Sequence, residues 1–366
     1  MKILLIGFAN LRYMPYLRFY LEQIDRSRHE VHVLYWNRDC APEVHERDVI
    51  YHEFAYSMHD DIAKVKKLYA FGKFKRFSME LLRKNRFDFL IVMHSIPAFL
   101  LGNYICDEYR KRFIFDYRDY TYEFIPFFKR AIHRMVYASK ATFVSSDAFR
   151  SALPAVEHIY TSHNILMDSL HHRAGHEGYP HTPIRISFWG YIRHPCTNEQ
   201  IILRLADDPR FELHYYGREQ EIALQLKAFV SERNIRNVFF HGAYQPEDRY
   251  AFSRETDLIH NIYGNKESPS QKNAVTNKYY DGLVFCIPQL CMKGSYMGDI
   301  AQRGGVGHIC DPWSPDFADD IYDYYMSINR TQLRKCCDQA LESVLNQYNA
   351  GREVVCHAIE PVDAGE

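Results

Sequence analysis

The chain has 366 residues, with 45 Lys and Arg against 46 Asp and Glu, for a formal net charge of −1. That balance excludes a general nucleic-acid binder, which carries a clear basic excess. No apolar run approaches the roughly 18 residues of a membrane span, which excludes an integral helical membrane protein, and the length predicts two domains at roughly 100–200 residues each.

The first seven residues, Met1 to Gly7, hold too short an apolar stretch for a signal peptide and lack a small-residue cleavage site. Residues 2–6 read as a first buried strand. Nine cysteines with no C-x-x-C pair predict reduced, mostly buried thiols and a cytoplasmic protein. Further strands are expected at 30–36, 48–54, 88–93, 112–117, 141–144 and 158–161. Helical spacing lies between them at 13–23, 63–84, 99–109 and 127–139. This alternation predicts a parallel sheet covered on both faces.

The pattern lapses over 169–183, a polar stretch with two Gly and two Pro, which reads as a linker. Strands then resume at 184–189, 212–216, 237–241, 258–262, 287–291 and 307–310, with helices at 219–233 and 277–285. A helix is expected from 331 to about 348, and a poorly ordered tail after it. The expected organisation is a Rossmann-like domain over 1–168, the linker, a second Rossmann-like domain over 184–345, and a tail over 346–366. The fold class is α/β: two doubly wound domains in tandem facing a central cleft, with ligands beyond the carboxyl ends of the strands.

The most informative stretch runs from Thr276-Asn277-Lys278 through Asp281 to Ile287-Pro288. A polar pair opens a helix, an acid follows one turn on, and the next strand begins. The uncapped amides of a helix start favour phosphate, and a carboxylate one turn on accepts two hydrogen bonds from a diol. Here the chain resembles the group 1, retaining-type, nucleotide-sugar-dependent glycosyltransferases of the GT-B fold, of the kind used in bacterial polysaccharide synthesis. The resemblance implies that Asp281 holds the donor ribose and that Asn277 and Lys278 lie near the diphosphate. Three positions depart from the family pattern. Asp281 stands for the usual Glu, Asn273 for a second Glu eight residues earlier, and Cys286 for a common Gly.

Residues 184–193 resemble the family's first donor-domain strand and its Gly-containing turn. They give Gly190 for close backbone approach and Arg193 to neutralise the leaving diphosphate. A family lysine five residues beyond that Arg is replaced by Asn198. Weaker echoes follow at 214–218, 238–245 and 257–263. In the first domain the loop after the first strand has no G-x-G-x-x-G fingerprint, so nicotinamide binding loses its sequence support. The resemblance implies that this loop lines the cleft, so Asn10 and Arg12 are expected to reach the acceptor. Asp119, in Asp116-Tyr-Arg-Asp119, and His94 follow strands and are the candidate catalytic bases, with one of the two acids pairing with Arg118 or Arg112.

No Asp-x-Asp occurs. The resemblance is to the metal-independent type, so no metal and no cofactor is expected beyond the nucleoside-diphosphate sugar co-substrate. Residues 64–86 carry nine Lys or Arg against the single acid Glu80, interleaved with aromatics, and 127–140 add four more. Such basic amphipathic helices suit an anionic membrane surface, which makes peripheral attachment to the inner face of the cell membrane the expected location.

The resemblance implies transfer of a sugar from a UDP- or GDP-sugar to a hydroxyl of a glycan or lipid-linked glycan, as in capsule, O-antigen or exopolysaccharide synthesis. The alternatives are a nucleotide-sugar 2-epimerase of the same fold and a non-catalytic glycosyltransferase-like subunit.

Overall fold

A computed structural model describes residues 1–58, 63–173, 180–264 and 269–360. The chain divides into two compact units, Met1–His163 with Asn346–Glu366, and Asn164–Leu345.

The first unit holds seven parallel strands in the order β3-β2-β1-β4-β5-β6-β7. They are β1 (Lys2–Ile6), β2 (Glu30–Asn37), β3 (Ile50–Ala55), β4 (Phe89–Met93), β5 (Phe113–Tyr117), β6 (Ala141–Val144) and β7 (Ile159–Thr161). β1 lies centrally, with Ile3 opposite Val31 on one side and Phe89 on the other. Its residues Ile3 to Ile6 are wholly buried, as expected of a strand covered on both faces.

The helices are α1 (Leu17–Leu21), α2 (Lys64–Asn85), α3 (Ser95–Glu108) and α4 (Pro126–Ala138), and α2, α3 and α4 pack side by side. α1 is shorter than the spacing predicts, because Pro15 lacks the amide that a helix interior needs. An aromatic cluster fills one end of the core. Trp36 meets Phe8 edge-on at 5.0 Å and stacks on Phe74 at 5.6 Å, and its Nε1 donates to Tyr56 O at 2.8 Å. Phe8 thereby fixes the loop after β1.

The second unit holds six parallel strands in the order β10-β9-β8-β11-β12-β13. They are β8 (Ile184–Trp189), β9 (Phe211–Tyr216), β10 (Val238–Gly242), β11 (Leu258–Asn261), β12 (Gln289–Met292) and β13 (Gly307–Cys310). Its helices are α5 (Pro195–Leu205), α6 (Glu221–Glu232), α7 (Arg249–Phe252), α8 (Pro269–Asn273), α9 (Asn277–Phe285), α10 (Tyr296–Arg303), α11 (Phe317–Ser327) and α12 (Arg330–Ile359). A core of Ile184, Ile186, Leu213, Leu226, Leu258 and Leu290 lies along the strands and under α6.

Of the expected linker, 174–179 lie outside the described residues, and Met167–His172 form a 3-10 turn grouped with the second unit. The expected loose tail is helical instead: α12 runs to Ile359, and its residues from Asn346 on belong to the first unit. The reason is burial. Val355, Ala358 and Ile359 are buried, Tyr348 packs on Phe19 at 5.1 Å, and Gly351 lets the helix approach Phe19 and Phe143. Lys140 Nζ donates to Ala358 O at 3.0 Å, a cation at the carbonyl end of a helix.

Candidate functional site

In the second sheet the strand order reverses between β8 and β11, the place where open parallel sheets bind ligands. The loop leaving β8 turns at Gly190 (φ +123°), whose amide donates to Tyr216 O at 2.9 Å. A Cβ on Gly217 would stand 2.4 Å from Gly190 O, so the two glycines permit the loops after β8 and β9 to touch. α5 begins directly after His194, and Thr197 Oγ1 donates to Gly264 O at 3.2 Å, tying its first turn to the loop after β11. α9 is tied to the same place. Thr276 precedes it without capping it and instead donates its hydroxyl to Asn261 Oδ1 at 2.6 Å, at the end of β11. The first amides of α9 are therefore left uncapped by that side chain.

Several cationic or donor groups lie here with no acceptor among the described residues. Lys278, in the first turn of α9, is 7% exposed. Its ammonium lies 4.2 Å from the Phe188 ring centroid and makes no hydrogen bond or ion pair among the described residues. Burial pushes it down to about 8, Asp281 acting in the opposite sense, so at pH 7 it remains a cation. Arg193 is exposed, lies 4.9 Å from the Tyr191 ring, and has no acidic partner among the described residues. His194 is held down to about 4, first by burial and then by the charges of Arg193 and Lys278. Its Nδ1 faces Gln271 Nε2 at 3.4 Å. With Gln271 as donor the imidazole proton sits on Nε2, which is buried with no partner among the described residues. A guanidinium, an ammonium, an imidazole N–H and a helix start thus gather here with no acceptor among the described residues, an arrangement that favours an anion.

Asn198, where the family lysine is missing, is structural. Its amide donates to the carbonyls of Arg193 (2.6 Å) and His194 (3.1 Å), while its oxygen accepts from Tyr215 (2.9 Å) and His260 (3.1 Å). Asn198 thus shapes the loop that carries Arg193. Asn277 is the exposed first residue of α9, and Asn273 is half-buried at the end of α8.

Asp281 departs from expectation. It is buried, with Oδ1 accepting from Arg249 at 2.8 Å and Oδ2 from Trp189 Nε1 at 2.8 Å. Both oxygens are engaged by the protein, so the carboxylate braces α9 against β8 and α7 and does not present itself to a ribose. Its pKa is raised by burial, which the charge of Arg249 opposes.

In the first unit the corresponding reversal lies between β1 and β4. Asn10 is fully buried. Its amide donates to Asn37 and Glu43, both at 2.7 Å, and its oxygen accepts from Arg38 N at 3.0 Å. It ties the loops after β1 and β2 together and has no atom left for an acceptor, which corrects the expected role. Arg12 is partly exposed and pairs with Asp39 at 2.5 Å and with Glu43 at 3.7 Å.

His94 follows β4 at φ +74°. Its Nε2 meets the Tyr16 hydroxyl, and its Nδ1 lies 3.7 Å from Asp119 Oδ2. Burial, then Arg118 and Arg38, hold it down to about 3, so it is neutral at pH 7 and too weakly basic to be the expected general base. Asp116 is the acid that pairs with Arg118, at 3.2 Å and fully buried, and burial raises it to about 6. Asp119 stands at the surface side of His94, 55% exposed.

Sequence reasoning did not single out His194, Arg249, Trp189 or Tyr16. His194 was legible as the residue between Arg193 and a helix-opening Pro195. The others act across 32, 92 and 78 residues of chain and left no local signal.

No family model matches the chain, and no curated protein sequence matches it. Solved structures match its fold. Sucrose-phosphate synthase from Thermosynechococcus elongatus aligns with a TM-score of 0.69 at 11% identity, covering 96% of each chain. The lipopolysaccharide outer core galactosyltransferase WaaB aligns at 0.63 and 11% identity, over 98% of this chain and all of the other. HepE of Anabaena, solved with UDP and glucose, aligns at 0.64 and 11%, over 98% of each. The fold, two parallel-sheet α/β domains, is that of the GT-B glycosyltransferases. Among the described residues no helix is long and apolar enough to cross a membrane.

Proposed function

We propose that the protein is a glycosyltransferase whose second unit binds the diphosphate of a UDP- or GDP-sugar. Arg193, His194 Nε2–H, Lys278 and the first amides of α9 hold the phosphate oxygens. When the glycosidic bond breaks, negative charge builds on the departing diphosphate, and these fixed cations and dipoles stabilise it without reorganising. No metal enters this reading.

The observation that carries the proposal is the buried ammonium of Lys278, which no acceptor meets among the described residues. An unpaired buried cation costs several kcal/mol, and an anionic ligand offsets that cost. HepE, which shares the fold, was solved in complex with UDP and glucose, and this supports the same class of donor.

The acceptor belongs to the first unit. Asp119 orients or deprotonates an acceptor hydroxyl, with neutral His94 positioning it and Arg12 lining the approach. A glycan or lipid-linked glycan fits the outer surface of α2 and α4. Val65, Leu68 and Tyr69 at the start of α2 are exposed, as are Phe124 and Phe127 at the start of α4. Lys66, Lys75, Lys129 and Arg130 stand exposed on the same helices. Both helices begin where their parallel strands end, so this apolar and basic rim lies at the edge that carries Asp119. It supports peripheral binding to anionic lipid through 64–86 and 127–140.

Isothermal titration with UDP, GDP and inorganic phosphate tests the donor reading. A nucleoside diphosphate is expected to bind wild type, and both Arg193→Gln and Lys278→Met are expected to abolish binding. Equal binding by all three proteins overturns the assignment.

A further inference from the structure

The nine cysteines are all free thiols, and most of the buried ones are inert by environment. Burial raises Cys106, Cys291 and Cys310. Cys286 differs. It closes α9 in the left-handed region (φ +56°), a conformation that favours Gly, and it stands where Arg173 Nη2 comes within 3.3 Å of its Sγ. The Arg173 guanidinium also pairs with Asp338 on α12.

The second thiol is Cys337, fully buried on α12. The two sulfurs lie against successive carbonyls of the last turn of α9, Cys337 Sγ at 4.0 Å from Gly282 O and Cys286 Sγ at 3.9 Å from Leu283 O. Both thiols thus sit against the last turn of α9, Cys286 beside Arg173. The neighbouring Cys337 first, and Arg173 next, lower Cys286 against its burial, while Cys337 is raised. The Arg173 guanidinium favours the thiolate form of Cys286, which is also the more reachable of the two sulfurs.

We propose that Cys286 and Cys337 form a peroxide-sensitive dithiol, oxidised to a disulfide that ties the end of α9 to α12. The Cys286 thiolate attacks one oxygen of hydrogen peroxide, giving a sulfenic acid and releasing hydroxide. The Cys337 thiol then attacks that sulfur, the S–S bond forms, and water leaves with the Cys337 proton. Two electrons pass to the peroxide. Cys286 is 8% exposed, so the oxidant that reaches it must be small. The consequence falls on α9, which carries Lys278 at its other end.

Peroxide treatment of the full chain, followed by non-reducing peptide mapping, tests this. Expected is a crosslinked peptide joining Cys286 to Cys337, formed before Cys40 or Cys196 is oxidised, although those two are exposed. Cys337→Ser should instead accumulate a sulfenic acid at Cys286 that dimedone traps. Arg173→Gln should slow oxidation at neutral pH by lowering the fraction of Cys286 present as thiolate. A second readout needs no variant: iodoacetamide labelling of Cys286 against pH should rise well below the range of about 8–9 for ordinary thiols. No crosslink in wild type, or labelling of Cys286 only in the ordinary range, overturns the proposal.

Discussion

Lys278→Met should make the protein more stable and less able to bind nucleotide. Burial lowers Lys278 from 10.5 to about 8. At about 1.4 kcal/mol per pH unit, carrying this charge costs the folded state on the order of 3 kcal/mol at pH 7. The Phe188 ring returns roughly 1–2 kcal/mol of that through its face. Methionine is unbranched, apolar and adaptable enough to fill the same space. Urea denaturation at pH 7 should therefore show a gain of about 1–3 kcal/mol for the variant, with UDP or GDP titration giving no heat. The difference has a fixed pH signature. Between about pH 8 and 10.5 the unfolded chain still holds the lysine proton that the folded chain has released, so wild-type stability rises with pH across that window. The two proteins should converge near pH 10.5. A variant less stable than wild type at pH 7 that still binds UDP refutes the reasoning.

Asp281→Asn should lower stability by about 3–5 kcal/mol by leaving Arg249 buried without its partner charge. Nucleotide affinity of the folded fraction should stay within a few-fold, and a complete loss with stability unchanged would restore the ribose role. His260 offers a pH test. Its Nε2 faces Asn198 Oδ1 at 3.1 Å and its Nδ1 accepts from Ile262 N at 3.3 Å, and burial, aided by Lys278, holds it down to about 3. As pH falls below 6.5 the unfolded chain takes up a proton that the folded chain refuses, so stability is lost, by about 2 kcal/mol at pH 5. His260→Asn should flatten that slope between pH 6.5 and 5, and an unchanged slope counts against it. Cosedimentation with anionic vesicles should retain the protein at low salt and release it at about 0.5 M. Replacing Val65, Leu68 and Tyr69 by Ser should weaken retention, and no retention at low salt removes the membrane reading.

The strands were legible because buried parallel strands are short apolar runs punctuated by Gly, Pro and Asp. β1, β6, β8 and β13 fall at their expected residues, as does α9. The places of Lys278 at a helix start and of Arg193 beyond a strand end were legible for a local reason too, since both are written in consecutive residues. Asp281 and Asn10 were misread for the opposite reason. A polar residue beyond a strand or within a first turn looks the same whether its partner is a ligand or a distant side chain. Only the fold brings Arg249 and Trp189 to Asp281, or Asn37 and Glu43 to Asn10. The extension of α12 was hidden likewise, because Gly351 and its polar neighbours weaken helical propensity until burial against Phe19 and Phe143 overrides it.

That last helix bears on how the molecule is made. The N-terminal sheet is translated early, yet the face around Phe19 and Phe143 receives Tyr348 and Gly351 only when the ribosome has read almost to residue 360. During synthesis, therefore, the early half waits with an apolar patch uncovered while some two hundred intervening residues emerge, a vulnerable interval that invites chaperone binding. Expressing residues 1–163 alone would leave that vulnerability permanent.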